Sequence, residues 1–229
     1  HKDRLRPLLE LDPDEHEEPV NPNFTSMFQY EHEIETPAIF EKKIVENTLG
    51  EKIENKGLSQ LRIAESQKKP HVTFFFNGQR ELEFENEERH FVESDKIKSF
   101  DEKPEMHADE ITEIAIQAIE KNEKDFILLN FANCDLVGHT ADLEATKKAV
   151  ETVDRNIEKL VKAVEASEYA MILTADHGNC ENIGTEENPN TSHTLNPVPL
   201  TGLKVDFKDY LEEHELWEVE KIVEDLLKI

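Results

Sequence analysis

Five residues in the second half of the chain are of the types that bind divalent metal ions: Asp135, His139, Asp176, His177 and His193. Asp135 and His139 follow one short apolar run, and Asp176 and His177 follow another. Active sites of parallel α/β sheets form at the carboxyl ends of strands, so these four residues are expected to converge there. His193 follows in a loop bounded by two prolines.

This set of residue types points to phosphoryl transfer. Carboxylates combined with imidazoles suit Mn²⁺ or Zn²⁺, whereas Mg²⁺ prefers oxygen-rich shells. Two cations roughly 3.5–4 Å apart can clamp the entering and leaving oxygens of a transferred phosphoryl group. Taken singly, Asp135 and His139 could form a local hydrogen bond at a helix start, and Asp-His-Gly is a common turn. The combination of motifs favours the metal site.

Other polar residues near these motifs have simpler interpretations. Cys134 and Cys180 could bind zinc, but two cysteines cannot form a zinc knuckle alone, and small-residue packing is favoured. The remaining histidines, including His71, are interpreted as structural or exposed. Three asparagines beside the ligand motifs are expected to brace loops rather than to bind metal: Asn133, Asn179 and Asn196.

The elements expected to position these residues alternate between strands and helices, which predicts an α/β domain with a largely parallel sheet. The C-terminal helix is expected to turn Leu216, Val219, Ile222, Val223 and Leu226 inward. Strands are predicted at residues 71–76, 126–131 and 169–174, with a further candidate at 24–30. Helices are predicted at residues 109–122, 142–165 and 210–229.

Composition narrows the class of protein. With 26 basic and 52 acidic residues, the formal net charge is -26, which disfavours binding to nucleic acid and to anionic membranes. No apolar run is long enough to cross a bilayer, the start has no signal-peptide pattern, and two cysteines suit a reducing compartment. A soluble cytoplasmic protein is expected. The first 40 or so residues are rich in proline, and a domain boundary is predicted near residues 37–43.

Long, ordered motifs make the chain resemble the 2,3-bisphosphoglycerate-independent phosphoglycerate mutases of the alkaline phosphatase superfamily. The resemblance covers roughly residues 40–205. Five stretches carry it: residues 56–66 (KGLSQLRIAES), 71–78 (HVTFFFNG), 129–140 (LNFANCDLVGHT), 173–182 (LTADHGNCEN) and 191–199 (TSHTLNPVP). It implies a three-layer alkaline-phosphatase-like domain at residues 41–229. It also implies that residues 1–40 are the C-terminal tail of a second α/β domain, the substrate-binding transferase domain.

The resemblance further implies a glycolytic isomerase that interconverts 3-phosphoglycerate and 2-phosphoglycerate through a phosphoserine intermediate. Such an enzyme uses two Mn²⁺ ions, or another divalent metal, and needs no 2,3-bisphosphoglycerate. One ion would be held by Asp135, His139 and His193. The other would be held by Asp176 and His177, together with an aspartate and the nucleophilic serine. Two further residues have implied roles: Lys68 would stabilise charge on the phosphoserine, with Lys69 a weaker candidate, and Arg4 would bind substrate.

The chain departs from the family pattern in one important respect. The family's N-terminal Asp-Gly segment and its Asn-Ser-Glu nucleophile segment are absent, and His1 stands where the family has the first of two arginines. Covalent catalysis needs a placed nucleophile, so this chain is expected to be inactive alone and to need the missing N-terminal segment as a partner. Two alternatives stay open: a truncated non-catalytic paralogue, and another phosphotransferase of the same superfamily.

Overall fold

A computed structural model describes residues 25–28, 37–40, 43–207 and 215–229. The chain divides into two compact units, residues 1–44 and 45–229. In the first unit, strands β1 (Ser26–Phe28) and β2 (Ala38–Phe40) pair in parallel. The assignment of residues 1–40 to a transferase domain stays a prediction.

The second unit is built on a parallel sheet of three strands. β3 (Gln60–Glu65) lies in the centre, between β4 (Glu87–Val92) and β5 (Phe126–Asn130). Ile63 pairs with His90 on one side and with Leu129 on the other. Every residue of β3 is buried, as expected for a central strand covered on both faces. The predicted α/β class is confirmed.

Two long helices cover one face of this sheet. α3 (Ala108–Lys121) places Ile111, Ala115 and Ile119 on one stripe, and these side chains pack against β3 and the second helix, α5 (Leu143–Glu165). The α5 helix begins where the Asp142 carboxylate accepts a hydrogen bond from the Ala145 amide at 2.7 Å. Both helices confirm the predictions from periodicity.

A separate cluster of apolar side chains joins α1 (Leu49–Asn55) to the C-terminal helix, α6 (Val219–Leu227). Ile222 and Val223 are buried as predicted. Leu216, in a short 3-10 turn before α6, is 43% exposed and Leu226 is 40% exposed, so their predicted inward position is wrong. The predicted start of this helix, residues 210–214, lies outside the described residues.

Residues 71–76 are not the predicted strand. The chain instead forms a short helix, α2 (Lys69–Val72), followed by turns, with hydrogen bonds from Phe75 N to the Pro70 carbonyl at 2.9 Å and from Asn77 N to the Thr73 carbonyl at 2.7 Å. Pro70 is tolerated in the first turn, where a missing N–H is harmless. Phe76 packs onto the sheet rather than within it, stacking on Phe126 with ring centroids 6.3 Å apart, whereas Phe75 is exposed.

The remaining two strands form a separate small sheet in the described residues. β6 (Met171–Leu173) pairs antiparallel with β7 (Thr201–Leu203). β5 and β6 pack against the same helix-facing core, and the Tyr169 hydroxyl just before β6 donates a hydrogen bond to the Lys124 carbonyl just before β5. All residues of both strands are only partly buried, in contrast to β3. No helix among the described residues is long and apolar enough to span a membrane.

Candidate metal centre

A short helix after β5, α4 (Asn133–Gly138), carries the first predicted ligand motif. Its start is fixed by Asn133, whose side-chain amide donates hydrogen bonds to the Pro104 and Glu105 carbonyls at 2.8 and 2.9 Å. Its end lies against the segment after β6, because a Cβ at Gly138 would come within 2.9 Å of Asn179 Cγ. These contacts bring the Asp135 and Asp176 motifs to one side of the sheet.

Asp135 lies at the centre of the site, with only 14% of its side chain exposed. Its Oδ2 forms an ion pair with Lys68 Nζ at 2.6 Å. Its Oδ1 lies 3.1 Å from the Nε2 atoms of both His139 and His193, and it accepts a hydrogen bond from the Asn179 amide at 2.9 Å. Burial alone would raise the pKa of Asp135, but hydrogen bonds from Lys68 and Asn179 outweigh it and lower the pKa to about 2.

The hydrogen bonds of His139 prepare it to bind a cation. Its Nδ1 lies 2.6 Å from the Thr191 carbonyl, so Nδ1 carries the proton and Nε2 presents a lone pair. That Nε2 lies 3.1 Å from His193 Nε2. Asp135, His139 and His193 therefore offer three ligand atoms that all lie within 4.8 Å of one another. A divalent cation fits this donor set, because it would interact with the carboxylate and accept the His139 Nε2 lone pair, and the neutral His193 ring can present Nε2 in the same way.

The second ligand motif lies next to the first. The His177 ring stacks on the His193 ring, with centroids 3.5 Å apart and planes inclined by 17°. Asp176 Oδ2 lies 3.5 Å from His177 Nε2, and the Asp176 side chain is 43% exposed. The structure thus brings all five predicted ligands into one neighbourhood, with Asp135, His139 and His193 as the tight group and Asp176 and His177 on its open side.

Lys68 lies under the site, with 2% of its surface exposed. Besides its ion pair with Asp135, Lys68 Nζ lies 3.4 Å from His71 Nε2. Burial and the neighbouring Lys68 charge lower the pKa of His71, so the neutral ring accepts this hydrogen bond from the ammonium group. His71 therefore contacts a residue of the candidate site. Its interpretation from sequence, as a structural or exposed residue, did not include this contact. The predicted substrate residue, Arg4, lies outside the described residues.

The loop that carries His193 is held by a network of hydrogen bonds centred on Glu181. Thr194 N donates a hydrogen bond to the Gly178 carbonyl at 2.9 Å. The Glu181 carboxylate accepts hydrogen bonds from the side chains of Thr194 and Asn196, and also from the backbone N–H of Asn179. Asn179 and Asn196 brace loops as expected. Nothing in the sequence distinguished Glu181, apart from its position four residues after His177 in the stretch 173–182 that resembles the family.

Cys134 and Cys180 are free thiols in adjoining segments. Cys134 donates a hydrogen bond to Cys180, which lowers the pKa of Cys180 to about 7 and raises the pKa of Cys134. Neither belongs to the group of residues that could hold a metal ion in the described parts of the chain.

Comparison with known proteins defines the class to which this fold and site belong. The sequence pattern of the Metalloenzyme superfamily matches residues 13–222, and the chain belongs to that superfamily. Two relatives are both named 2,3-bisphosphoglycerate-independent phosphoglycerate mutase. One, from Ehrlichia ruminantium (strain Gardel), is 44% identical over 209 residues, which cover 90% of this chain and 42% of the relative. The other, from Bacteroides thetaiotaomicron, is 51% identical over 170 residues, covering 72% of this chain and 34% of the relative.

A solved structure agrees with these relatives. A Leishmania mexicana phosphoglycerate mutase, crystallised at low cobalt concentration, superposes with a TM-score of 0.82 and 32% identity, covering 89% of this chain and 41% of that one. The predicted resemblance to the 2,3-bisphosphoglycerate-independent mutases, which are isomerases, and the predicted fold class are therefore confirmed. The chain spans well under half the length of each of these three proteins.

Proposed function

We propose that this chain is the C-terminal portion of a phosphoglycerate mutase that interconverts 3-phosphoglycerate and 2-phosphoglycerate through a phosphoserine, and that it is inactive alone. One observation carries the proposal: two histidine Nε2 atoms meet Asp135 Oδ1 at 3.1 Å, while Lys68 Nζ holds the other carboxylate oxygen at 2.6 Å. A cluster of metal-ligand side chains next to a buried ammonium group suits the binding of a phosphoryl group, which carries negative charge on its equatorial oxygens.

The ligand assignment follows this grouping. Asp135, His139 and His193 hold one divalent ion, and Asp176 and His177 contribute to a second. When bound, such ions neutralise the charge that develops on a transferred phosphoryl group. We propose Mn²⁺ for both sites, since the mixed carboxylate and imidazole set suits it. The solved relative crystallised with cobalt supports a transition metal rather than an all-oxygen Mg²⁺ site.

The protein residues prepare the site before any substrate arrives. Lys68 is buried and pairs with Asp135 and His71, which leaves one N–H group available to a phosphate oxygen. His71 accepts a hydrogen bond from the same ammonium and so limits its rotation. Thr191 fixes the His139 tautomer, which keeps Nε2 unprotonated. Arg4 is proposed to contact the glycerate carboxylate.

The sheet supports the part of the proposal that concerns a missing segment. β5 and β6 share one helix-facing core but have no backbone pairing to each other in the described residues. Their side chains are only half-buried, although an apolar run such as FILL is typical of a strand covered on both faces. A further strand beside β5 and β6 would complete the sheet and end next to the Asp135 and Asp176 motifs. We propose that the missing N-terminal segment supplies this strand, with the nucleophilic serine and the remaining aspartate.

A chimera tests the function directly. The chain is fused to the portion of the Ehrlichia ruminantium relative that lies outside the match, and conversion of 3-phosphoglycerate is measured with and without Mn²⁺. We expect Mn²⁺-dependent conversion by the chimera, none by the chain alone, and none by a chimera carrying His193→Ala. Robust conversion by the chain alone would refute the need for a missing segment. A chimera that acts on pentose phosphates instead would assign the chain to a different phosphotransferase.

A further inference from the structure

Glu181 links the two loops that carry the metal-ligand residues. Its Oε2 accepts a hydrogen bond from the backbone N–H of Asn179 at 2.6 Å, in the segment after His177. Its Oε1 accepts hydrogen bonds from the Asn196 side-chain amide at 2.9 Å and from the Thr194 hydroxyl. One carboxylate therefore receives three donors from two loops that are separated by more than a dozen residues in sequence.

Two of these three donors, Thr194 and Asn179, connect directly to residues of the candidate metal centre. Thr194 follows His193 directly, and its backbone N–H donates to the Gly178 carbonyl at 2.9 Å, which fixes the His193 backbone beside His177. Asn179 uses its side chain to donate to the Asp135 carboxylate at 2.9 Å and to the Asp135 carbonyl at 3.1 Å. Glu181 thus reaches Asp135 through one neighbour and His193 through another.

We propose that Glu181 is a positioning residue that holds the His193 loop against Asp135 and so sets the geometry of the Asp135–His139–His193 metal group. The inference rests on the proposed function only for the identity of the ion. Glu181 contacts none of the three ligand side chains and acts through Asn179 and Thr194.

The chemistry of the carboxylate is what this role requires. An ionised carboxylate accepts at both oxygens and can satisfy all three donors, whereas a glutamine amide of the same shape presents N–H groups at one end. The hydrogen bond from Thr194 lowers the pKa of Glu181, in keeping with an ionised group. Because Glu181 lies on the exposed surface, its replacement is expected to change the loop without unfolding the domain.

The test compares Glu181→Gln with a matched control, Glu186→Gln, in the full chain of residues 1–229. Glu186 is also exposed and lies in the same loop region. Three quantities are measured: the dissociation constant for Mn²⁺ by electron paramagnetic resonance titration, amide hydrogen exchange of Thr194 and Asn179 in the metal-free chain, and the urea midpoint. For Glu181→Gln we expect Mn²⁺ binding to weaken by about tenfold, as for other residues that orient metal ligands. We also expect faster exchange at Thr194 and Asn179 and an unchanged urea midpoint, with no change in Glu186→Gln.

A second variant checks the route of the effect. Thr194→Val removes one donor to Glu181 and keeps the side-chain shape, so it should weaken Mn²⁺ binding in the wild-type background and add little in Glu181→Gln. Equal Mn²⁺ affinity and equal exchange in Glu181→Gln and Glu186→Gln would overturn the inference. Hydrogen exchange in the metal-free chain decides the matter even if Mn²⁺ does not bind. Conversely, a chimera without mutase activity would refute the proposed reaction while leaving the effect of Glu181 on the loop intact.

Discussion

Replacing Gly138 by alanine sets two opposing effects against each other. Gly138 is the last residue of α4 and has no positive φ, so helix propensity alone predicts that alanine stabilises the chain by up to about 1 kcal/mol. The new Cβ would, however, lie 2.9 Å from Asn179 Cγ, closer still to Asn179 Oδ1, and 3.3 Å from the Cys180 nitrogen. Overpacking of this kind costs roughly 1–3 kcal/mol.

Displacing Asn179 has a further cost, because its side chain donates two hydrogen bonds to Asp135, at 2.9 and 3.1 Å. Each such bond contributes about 1 kcal/mol. The clash and the lost hydrogen bonds together exceed the gain in propensity, so Gly138→Ala is expected to lower the free energy of unfolding by about 2 kcal/mol, within the usual range for a single substitution.

Urea denaturation of a double-mutant cycle measures this balance. Asn179→Ala removes the group that the new Cβ meets, so the double variant Gly138→Ala/Asn179→Ala should be destabilised by less than the sum of the two single changes. The expected coupling is about 3 kcal/mol, because the clash and the displacement of Asn179 occur in only one of the four proteins, whereas the propensity gain of about 1 kcal/mol is present in both variants that carry Gly138→Ala. A Gly138→Ala chain as stable as the wild type, or additive behaviour in the cycle, would falsify this account of the contact between α4 and the segment after β6.

Three further predictions concern ionisable side chains, two of them in the candidate metal centre. The pKa of Glu51 is lowered to about 2, chiefly by its hydrogen bond from Arg80, so this pair stabilises the fold above pH 4.5 and loses that contribution as the pH falls toward 2. Arg80→Met should therefore cost about 1 kcal/mol at pH 7 and flatten the acid side of a urea-midpoint series, whereas an unchanged pH dependence would contradict the assignment. Lys68→Met leaves the Asp135 carboxylate buried without its partner and should lower stability by about 3 kcal/mol in thermal denaturation; a change below 1 kcal/mol would show that the pair is solvated. His139→Ala should weaken Mn²⁺ binding by more than about tenfold in an electron paramagnetic resonance titration, and equal affinity would remove His139 from the ligand set.

The long helices were predictable because their signal is local. Apolar residues at Ile111, Ala115 and Ile119 recur at helical spacing, and such a stripe forms whenever there is a sheet to pack against. The strands before the two ligand motifs were predictable for a similar reason. Short apolar runs that end in acidic or imidazole groups are typical of strands leading into a site at the edge of a parallel sheet.

Two elements needed contacts that no local pattern contains. β4 has an acidic sequence typical of exposed surface, yet it forms a strand because all six of its residues pair in parallel with the central strand β3. Glu87 is buried there beside Arg89 at 2.5 Å, while Glu88 and His90 are exposed. The aromatic run after Pro70 has the composition of a strand. It packs instead over the sheet, where the Arg62 guanidinium lies 4.2 Å from the Phe76 ring centroid. In both cases tertiary partners outweigh intrinsic preference.

The residues of the candidate site likewise include some that sequence predicted and some that only the structure shows. The types and spacing of the five ligands, and the role of Lys68 beside them, came from the sequence and from the family resemblance. Glu181 and His71 did not, because a glutamate in an acidic chain and a histidine in an apolar run have no distinguishing local pattern. Only their distances to Asn179, Thr194 and Lys68 show what they hold in place.

The edges of β5 and β6 have a consequence for how the chain behaves in solution. In the part of the chain that the structure describes, one edge of each of these strands has no backbone partner, and an exposed edge of this kind can pair with the same edge of another copy, which is a route to aggregation. The formal net charge of -26 opposes such encounters by mutual repulsion. Salt shortens the range of that repulsion to about 10 Å at 0.1 M, so the acidity of the chain is expected to limit self-association more strongly at low ionic strength than at high ionic strength.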